Sequence, residues 1–443
     1  MTLRPKFSFA RFLAVVAGIV TTFAAVRLGG ISGLFVPVRI TGASMAETLR
    51  GAHYLLSCDD CGFPCRYDAD RPPTDDRAVC PNCGDVMHSL GRAVLRPGQR
   101  VLIDRLAYQF RPPCRGDRIA FRSSQDPDYF EVKRVAGLPG ERISIRQGDI
   151  YADDRIVRKT LRQLRDVAVL VHDSGFEPRQ TVDLPARWRA DAAATAGGAA
   201  WSYHHWRCFA SPLPRSAASP VLDNYGYNQN ESRQLHVVRD LLLACRLRTS
   251  GHGTLQLRLA DGQDSFRADM ALETHQANVY RNERRLVTAP LPRAAWARDV
   301  KLEFALCDRQ VLLAVDGQTV VCEPYEAPAL ATGGNPCAAR DDEVGRGFVR
   351  SSSGEAELVR QQGQAVTIGA SGMSLDLHRL QVFRDLHYLD PQGLGRDWIA
   401  PAKLEPDEVL VLGDNVPVSR DSRHSHPAAV PRTRWLGRVV TLP

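Results

Sequence analysis

The chain reads as a mainly β protein with a single helix at its N-terminus. Two observations predict this. Apolar residues occupy every second place in TLQLRLA (254–260), VKLEFALC (300–307) and QVLLAVDGQTVVC (310–322), and a period of two buries one face of a strand. Residues 12–26, FLAVVAGIVTTFAAV, carry no charge at all, the composition of a helix in an apolar medium.

The N-terminal segment comes first. Arg4, Lys6 and Arg11 precede it, and beyond Arg27 the apolar character resumes through LGGISGLFVPV. A span needs about 20 residues, so a transmembrane anchor over 12–36 requires the Arg27 guanidinium to snorkel to an interface. The basic flank predicts a cytoplasmic 1–11 and an exported remainder, a single-pass protein of the cytoplasmic membrane facing membrane lipid. A cleavable leader, with its basic, apolar and Ala-rich regions in order, is the competing reading.

Downstream, RVLIDRLAY (100–108), DRIAF (117–121), DYFEVKRVAGL (128–138) and RISIRQGDIYA (142–152) alternate, with Gly, Pro and Asp at the corners. Asp316-Gly317 between two apolar runs signals a hairpin. VTIGASG (366–372) and LHRLQVFRDLHYL (377–389) supply further strands, while 190–200 and 331–347 are Gly/Ala-rich or polar and read as loops. The strand texture of 161–395 predicts an antiparallel, jelly-roll-like β-sandwich.

At 443 residues, 44% hydrophobic and 24% charged, the chain is globular and long enough for two or three folded units. Its 57 basic and 50 acidic residues give a net charge of +7 without any long Lys/Arg run, which argues against a nucleic-acid partner.

Cys58-x2-Cys61 and Cys80-x2-Cys83 are separated by 18 residues, and each ends in Cys-Gly. Four thiolates so spaced reach one tetrahedral ion, the pattern of a zinc ribbon over 54–90 holding structural Zn²⁺. Disulfides are the alternative if the segment is exported, and Cys65 is a further candidate ligand. The remaining cysteines have no metal spacing; Cys307 and Cys322 read as core residues or one bridge. His204 and His205, being adjacent, face opposite ways on a strand and make poor co-ligands.

Three separated segments carry chemistry. Ser44 lies in ITGASMAETL just past the apolar segment, Lys133 in FEVKRVAGLPGERI, and VLGDNVPVSRDSR occupies 411–423. A serine hydroxyl needs a base, and a desolvated, neutral lysine can be one. On a strand Lys133 turns inward while Arg134 meets solvent or a carboxylate.

Together these segments resemble the type I signal peptidases, membrane-anchored Ser–Lys proteases that remove secretory leader peptides. Ser44, Met45, Thr48 and Leu49 match that family's nucleophile box, with Glu47 replacing its proline. The Lys-Arg-x-x-Gly-x-Pro-Gly run matches from Lys133. Gly413, Asp414 and Asn415, then Ser419, Asp421, Ser422 and Arg423, match the C-terminal box, with Val416, Pro417 and Val418 departing from it.

The resemblance implies Ser44 as nucleophile and Lys133 as general base, with the Ser419 hydroxyl orienting the lysine and an Asp421–Arg423 ion pair in support. The Ser44 N–H would serve the oxyanion, a hydroxyl donor found in some relatives being replaced by Gly42. It implies a peptidase core of 37–53, 91–160 and 396–443, signal-peptide substrates lying between 39–43 and 129–133, no cofactor for catalysis, and proximity to the secretion translocon. His424 and His426 are then loop residues. Glu47 and 416–418 motivate an alternative, a catalytically impaired membrane-tethered binding protein on this scaffold. Self-cleaving repressor proteases share Ser–Lys chemistry, but the apolar segment and the absence of a helix-turn-helix pattern count against them.

Overall fold

The computed structural model describes residues 9–31, 33–73, 77–88, 90–126, 128–179, 184–190, 198–208, 216–293, 296, 298–326 and 366–441. Arg4, Lys6, the 331–347 tract and Cys337 lie outside them.

The protein is mainly β. Its long helix is Phe9–Ile31, whose Leu13, Val15, Ile19, Val20, Phe23, Val26 and Leu28 side chains are exposed. Among the described residues no helix is long and apolar enough to cross a membrane. The anchor expected over 12–36 also ends too late: Phe35 and Val36 belong to strand Phe35–Arg39, paired with Arg100–Asp104. The alternation of FVPVR suits a sheet edge, and Gly33 at φ +65° turns the chain out of the helix.

A seven-stranded antiparallel sheet holds the segments of chemical interest, in the order Phe35–Arg39, Arg100–Asp104, Trp435–Thr441, Arg118–Arg122, Phe130–Gly137, Glu408–Leu412, Val430–Pro431. First and last parts of the chain thus share one sheet. The run at 100–108 is a strand only to Asp104, with a helical turn at Ala107–Phe110 after it. A four-stranded sheet from Ile143–Arg146, Asp149–Ala152, Arg155–Ile156 and Trp398–Ile399 lies beside it.

Between them stands a larger assembly built on two long strands, Leu241–Ala260 and Val366–Arg384. The expected separate strands at 366–372 and 377–389 are therefore one strand that ends at Arg384, and the loop expected over 190–200 gives way to strand at Gly198–Tyr203. The ladder between the two long strands shifts register between Gly251 and Thr254, opposite Gly372. A Cβ on Gly253 would stand 2.1 Å from the Ser371 carbonyl oxygen, so no larger residue fits that crossing. The halves find different partners: 242–247 pairs with Val300–Cys307, and 254–260 with Ser265–Ala271. Leu243, Leu257, Phe266, Phe304, Leu313 and Ile368 pack into one buried core. Lys159, at the end of the small sheet, fastens this assembly through Asp308 (2.6 Å) and Asp385 (3.0 Å).

Cys307 is buried and Cys322 exposed, and both are free thiols, so they form no bridge. His205 is half-buried beside Tyr203, whose hydroxyl lies 3.0 Å from its Nδ1.

Candidate active site

Ser44 sits in a turn anchored by its apolar neighbours. Met45 and Leu49 are buried with Ile40, Val101 and Ile103, and the turn closes through Ala46 N–H to Ala43 O (2.9 Å) and Leu49 N–H to Met45 O (2.7 Å). Ser44 itself is half-buried. Upstream, the Thr41 hydroxyl lies 3.4 Å from the Tyr129 hydroxyl, which brings the segment before Ser44 against the one before Lys133.

Lys133 lies on the central strand Phe130–Gly137, opposite Ile119, and only 4% of it is exposed. Burial pushes the amine below its ordinary 10.5, with the Asp421 and Glu131 carboxylates opposing the shift. Arg134, on the other face, meets a carboxylate and not solvent: its Nε and Nη2 bind Asp414 at 2.8 and 2.5 Å.

The loop after Glu408–Leu412 completes the cluster. Arg423 grips Asp421 through Nε and Nη2, both at 2.8 Å, in a fully buried pair. Burial works against the Asp421 carboxylate, but Arg423 and the Gly413 N–H (2.9 Å) hold it well below the usual range. Asn415 donates its backbone N–H to Ser44 O (3.1 Å) and its Nδ2 to Ala43 O (3.0 Å). Gly413 is wedged in: a Cβ there would stand 2.0 Å from Ser419 Oγ and 2.6 Å from Ser44 O. Ser419 Oγ is buried with no hydrogen-bond partner among the described residues, an acceptor and donor left for a neighbouring polar group. The three segments thus meet: the Ser44 backbone and Ser419 against Gly413, and Lys133 in the field of Asp421. His424 and His426 are exposed.

Two contacts were not legible in the sequence. The Tyr225 hydroxyl donates to Asp414 O (2.8 Å), and Asn228 exchanges hydrogen bonds with the Asn415 amide (2.5 and 3.0 Å). Both residues come from NYGYNQN, whose amides carry no spacing that points to a site 187 residues away.

Away from this cluster, the Cys58, Cys61, Cys80 and Cys83 sulfurs all lie within 4.8 Å of one another. Cys58 to Cys83 is 3.6 Å and Cys61 to Cys80 is 3.7 Å, far from the roughly 2.05 Å of a disulfide. Tetrahedral thiolates about 2.3 Å from zinc sit about 3.8 Å apart, so the donor set fits that ion. The two knuckles repeat one geometry: Gly62 N–H to Cys58 O and Gly84 N–H to Cys80 O, both 2.9 Å, with both glycines at positive φ, +74° and +78°. Cys65 is buried nearby but stands outside the quartet.

Residues 87–186 match the signal peptidase family, peptidase S26. The matched segment includes Lys133 and excludes Ser44 and Ser419. The chain is 36% identical over 63 residues to signal peptidase I of Leptolyngbya laminosa, covering 13% of this chain and 31% of that one. It is likewise 36% identical over 63 residues to signal peptidase I of Bacillus caldolyticus, covering 14% and 34%. The chain therefore spans about a third of the length of the curated relatives it matches. These matches support a relationship with the type I signal peptidases. Among solved structures, the Caenorhabditis elegans galectin LEC-6 aligns with a TM-score of 0.21 and 12% identity, over 32% of this chain and 81% of that one, too small a likeness to assign a fold.

Proposed function

We propose that the protein is a membrane-bound serine endopeptidase that removes N-terminal signal peptides from exported pre-proteins, with a Ser44–Lys133 dyad. The observation that carries this reading is the buried Lys133 amine, held below its ordinary pKa, on the strand beside the loop that clasps the Ser44 backbone. A neutral amine accepts a proton; an ammonium in solvent does not.

The Ser44 oxygen attacks the scissile carbonyl as its proton passes to the Lys133 nitrogen. The tetrahedral oxyanion is met by the Ser44 N–H. Collapse expels the new amino terminus, which takes the proton from Lys133 and leaves an acyl-Ser44. Lys133 then deprotonates a water that releases the leader and restores the serine. Ser419 orients the lysine, and Asp421 with Arg423 fixes the loop that carries Ser419. The leader binds as an added strand between 39–43 and 129–133, a position supported by the Thr41–Tyr129 contact.

The uncharged 12–26 segment with its exposed apolar side chains supports a single-pass anchor in the cytoplasmic membrane, with the peptidase on the exported side. Cys58, Cys61, Cys80 and Cys83 would hold a structural zinc that keeps a ribbon folded over 54–90, outside the chemistry. We further assign the 161–395 insertion to a β-sandwich, from its two long paired strands and the large apolar core they share.

The test is cleavage of a leader-bearing reporter in detergent by wild type, Ser44→Ala and Lys133→Ala. Cleavage by wild type alone supports the dyad; equal inactivity of all three rejects it and favours a binding protein on this scaffold.

A further inference from the structure

We infer that Asn228, supplied by the long insertion, is a positioning residue that sets the peptide plane of the nucleophile. This rests on the reading of Ser44 as that nucleophile.

The geometry runs through Asn415. Its Nδ2 donates to Ala43 O at 3.0 Å, and a backbone carbonyl only accepts, so the orientation of this side-chain amide is fixed. The other Nδ2 hydrogen goes to Asn228 Oδ1 at 3.0 Å, and Asn228 Nδ2 donates back to Asn415 Oδ1 at 2.5 Å. Every polar atom of the Asn415 amide is thereby engaged, inside a site where Asn415 is fully buried and Asn228 8% exposed. Ala43 C=O and Ser44 N–H belong to one planar peptide unit. Whatever holds that carbonyl also aims that N–H, the group proposed to meet the oxyanion.

Asn228 is itself held on both sides. The Tyr225 hydroxyl donates to Asp414 O at 2.8 Å, Gln229 Oε1 accepts from Val79 N–H at 2.8 Å, and Tyr227 O accepts from Asp68 N–H at 3.1 Å. The strap 225–229 therefore ties the insertion, the cysteine-bearing segment and the nucleophile turn together. Without Asn228, one Asn415 hydrogen and its oxygen lose their partners, and the amide is free to rotate off Ala43. Loss of a single oxyanion donor costs about 100- to 1,000-fold in kcat; a donor misaimed but present falls short of that.

The test compares wild type, Asn228→Ala, Asn415→Ala and the double variant in the full chain, with leader-reporter kinetics and hydrogen exchange on the same samples. Asn228→Ala is expected to lower kcat about 10- to 100-fold with KM changed less than about twofold, since substrate binding elsewhere is intact. The double variant is expected to match Asn415→Ala, because the two act in series. Exchange is expected to rise in peptides covering 43–49 and 413–419 while that of 118–122 stays unchanged. Unchanged kcat and exchange overturn the inference, as does a uniform rise in exchange with kcat per folded molecule preserved. If wild type cleaves no leader, the peptidase reading fails, and the exchange of 43–49 still decides whether Asn228 holds that turn.

Discussion

Arg134 clasps Asp414 with two hydrogen bonds, 2.8 and 2.5 Å, on the face of the strand opposite Lys133. Burial disfavours the guanidinium, yet Asp414 holds its proton more firmly than in water. One strand thus carries a cation kept charged by a partner and, next to it, an amine driven toward neutrality. The adjacent Lys-Arg pair divides two tasks on the proposed reading: Arg134 fixes the 413–415 loop, and Lys133 would be the group that exchanges a proton.

Breaking the Arg134–Asp414 pair leaves an uncompensated buried charge, which costs about 3–5 kcal/mol. Arg134→Met and Asp414→Leu should each lower the unfolding free energy by about that amount in urea titrations. The double variant should recover part of the loss, because no lone charge remains. Single variants as stable as wild type would mean that the pair does not form in solution.

With Lys133 as the proposed base, activity and stability depend on pH in the same sense. Its folded pKa lies below 10.5, so between the two values the unfolded chain binds more protons than the folded one, and stability rises with pH through that window. Below the folded pKa the base is protonated and kcat/KM falls about tenfold per pH unit. Lys133→Met should remove both the acid limb and the stability slope, while Lys133→Arg, permanently charged, should be inactive at every pH. An acid limb surviving in a residually active Lys133→Met would place the base elsewhere.

Much of this cluster was legible because its groups sit in short motifs. Ser44 and Lys133 each lie in a short motif of their own and Asp421 and Arg423 share a third, and the period-two alternation around Lys133 marks its inward direction. Asn228 and Tyr225 could not be read, since their meaning depends on long-range packing between the insertion and the 413–415 loop. Register shifts were equally hidden: 366–372 and 377–389 look like two strands, because the irregularity near Gly372 interrupts the alternation without ending the ladder. The Asp414 partner of Arg134, by contrast, is not legible beyond the choice of solvent or a carboxylate, because a strand position fixes direction and not the partner.

The cysteine quartet predicts one bound zinc per chain. The crowded thiols cannot all ionise alone: the sulfurs crowded around Cys58 push its thiol down, and the same crowding pushes Cys80 up. A dication relieves that conflict. Elemental analysis should find about one zinc per chain, absent in Cys58→Ser, and chelation should expose four additional titratable thiols. A metal-free protein without those thiols would establish disulfides instead.

Gly413 offers the sharpest test of how the segments meet. Its φ is not in the left-handed region, so alanine brings no backbone strain, and the effect of Gly413→Ala comes from space alone. The added methyl would meet Ser419 Oγ at 2.0 Å and the Ser44 carbonyl oxygen at 2.6 Å. The serine side chain can rotate, but the carbonyl is held by the Asn415 N–H and cannot. The turn must therefore shift, and a misplacement of about 1 Å costs about 100-fold in rate. Gly413→Ala is expected to lose about that factor in kcat, with a smaller overpacking cost of about 1–3 kcal/mol in stability. Wild-type kcat in a folded Gly413→Ala protein would mean that Ser44 and the C-terminal loop are not packed together in the state that performs the proposed cleavage.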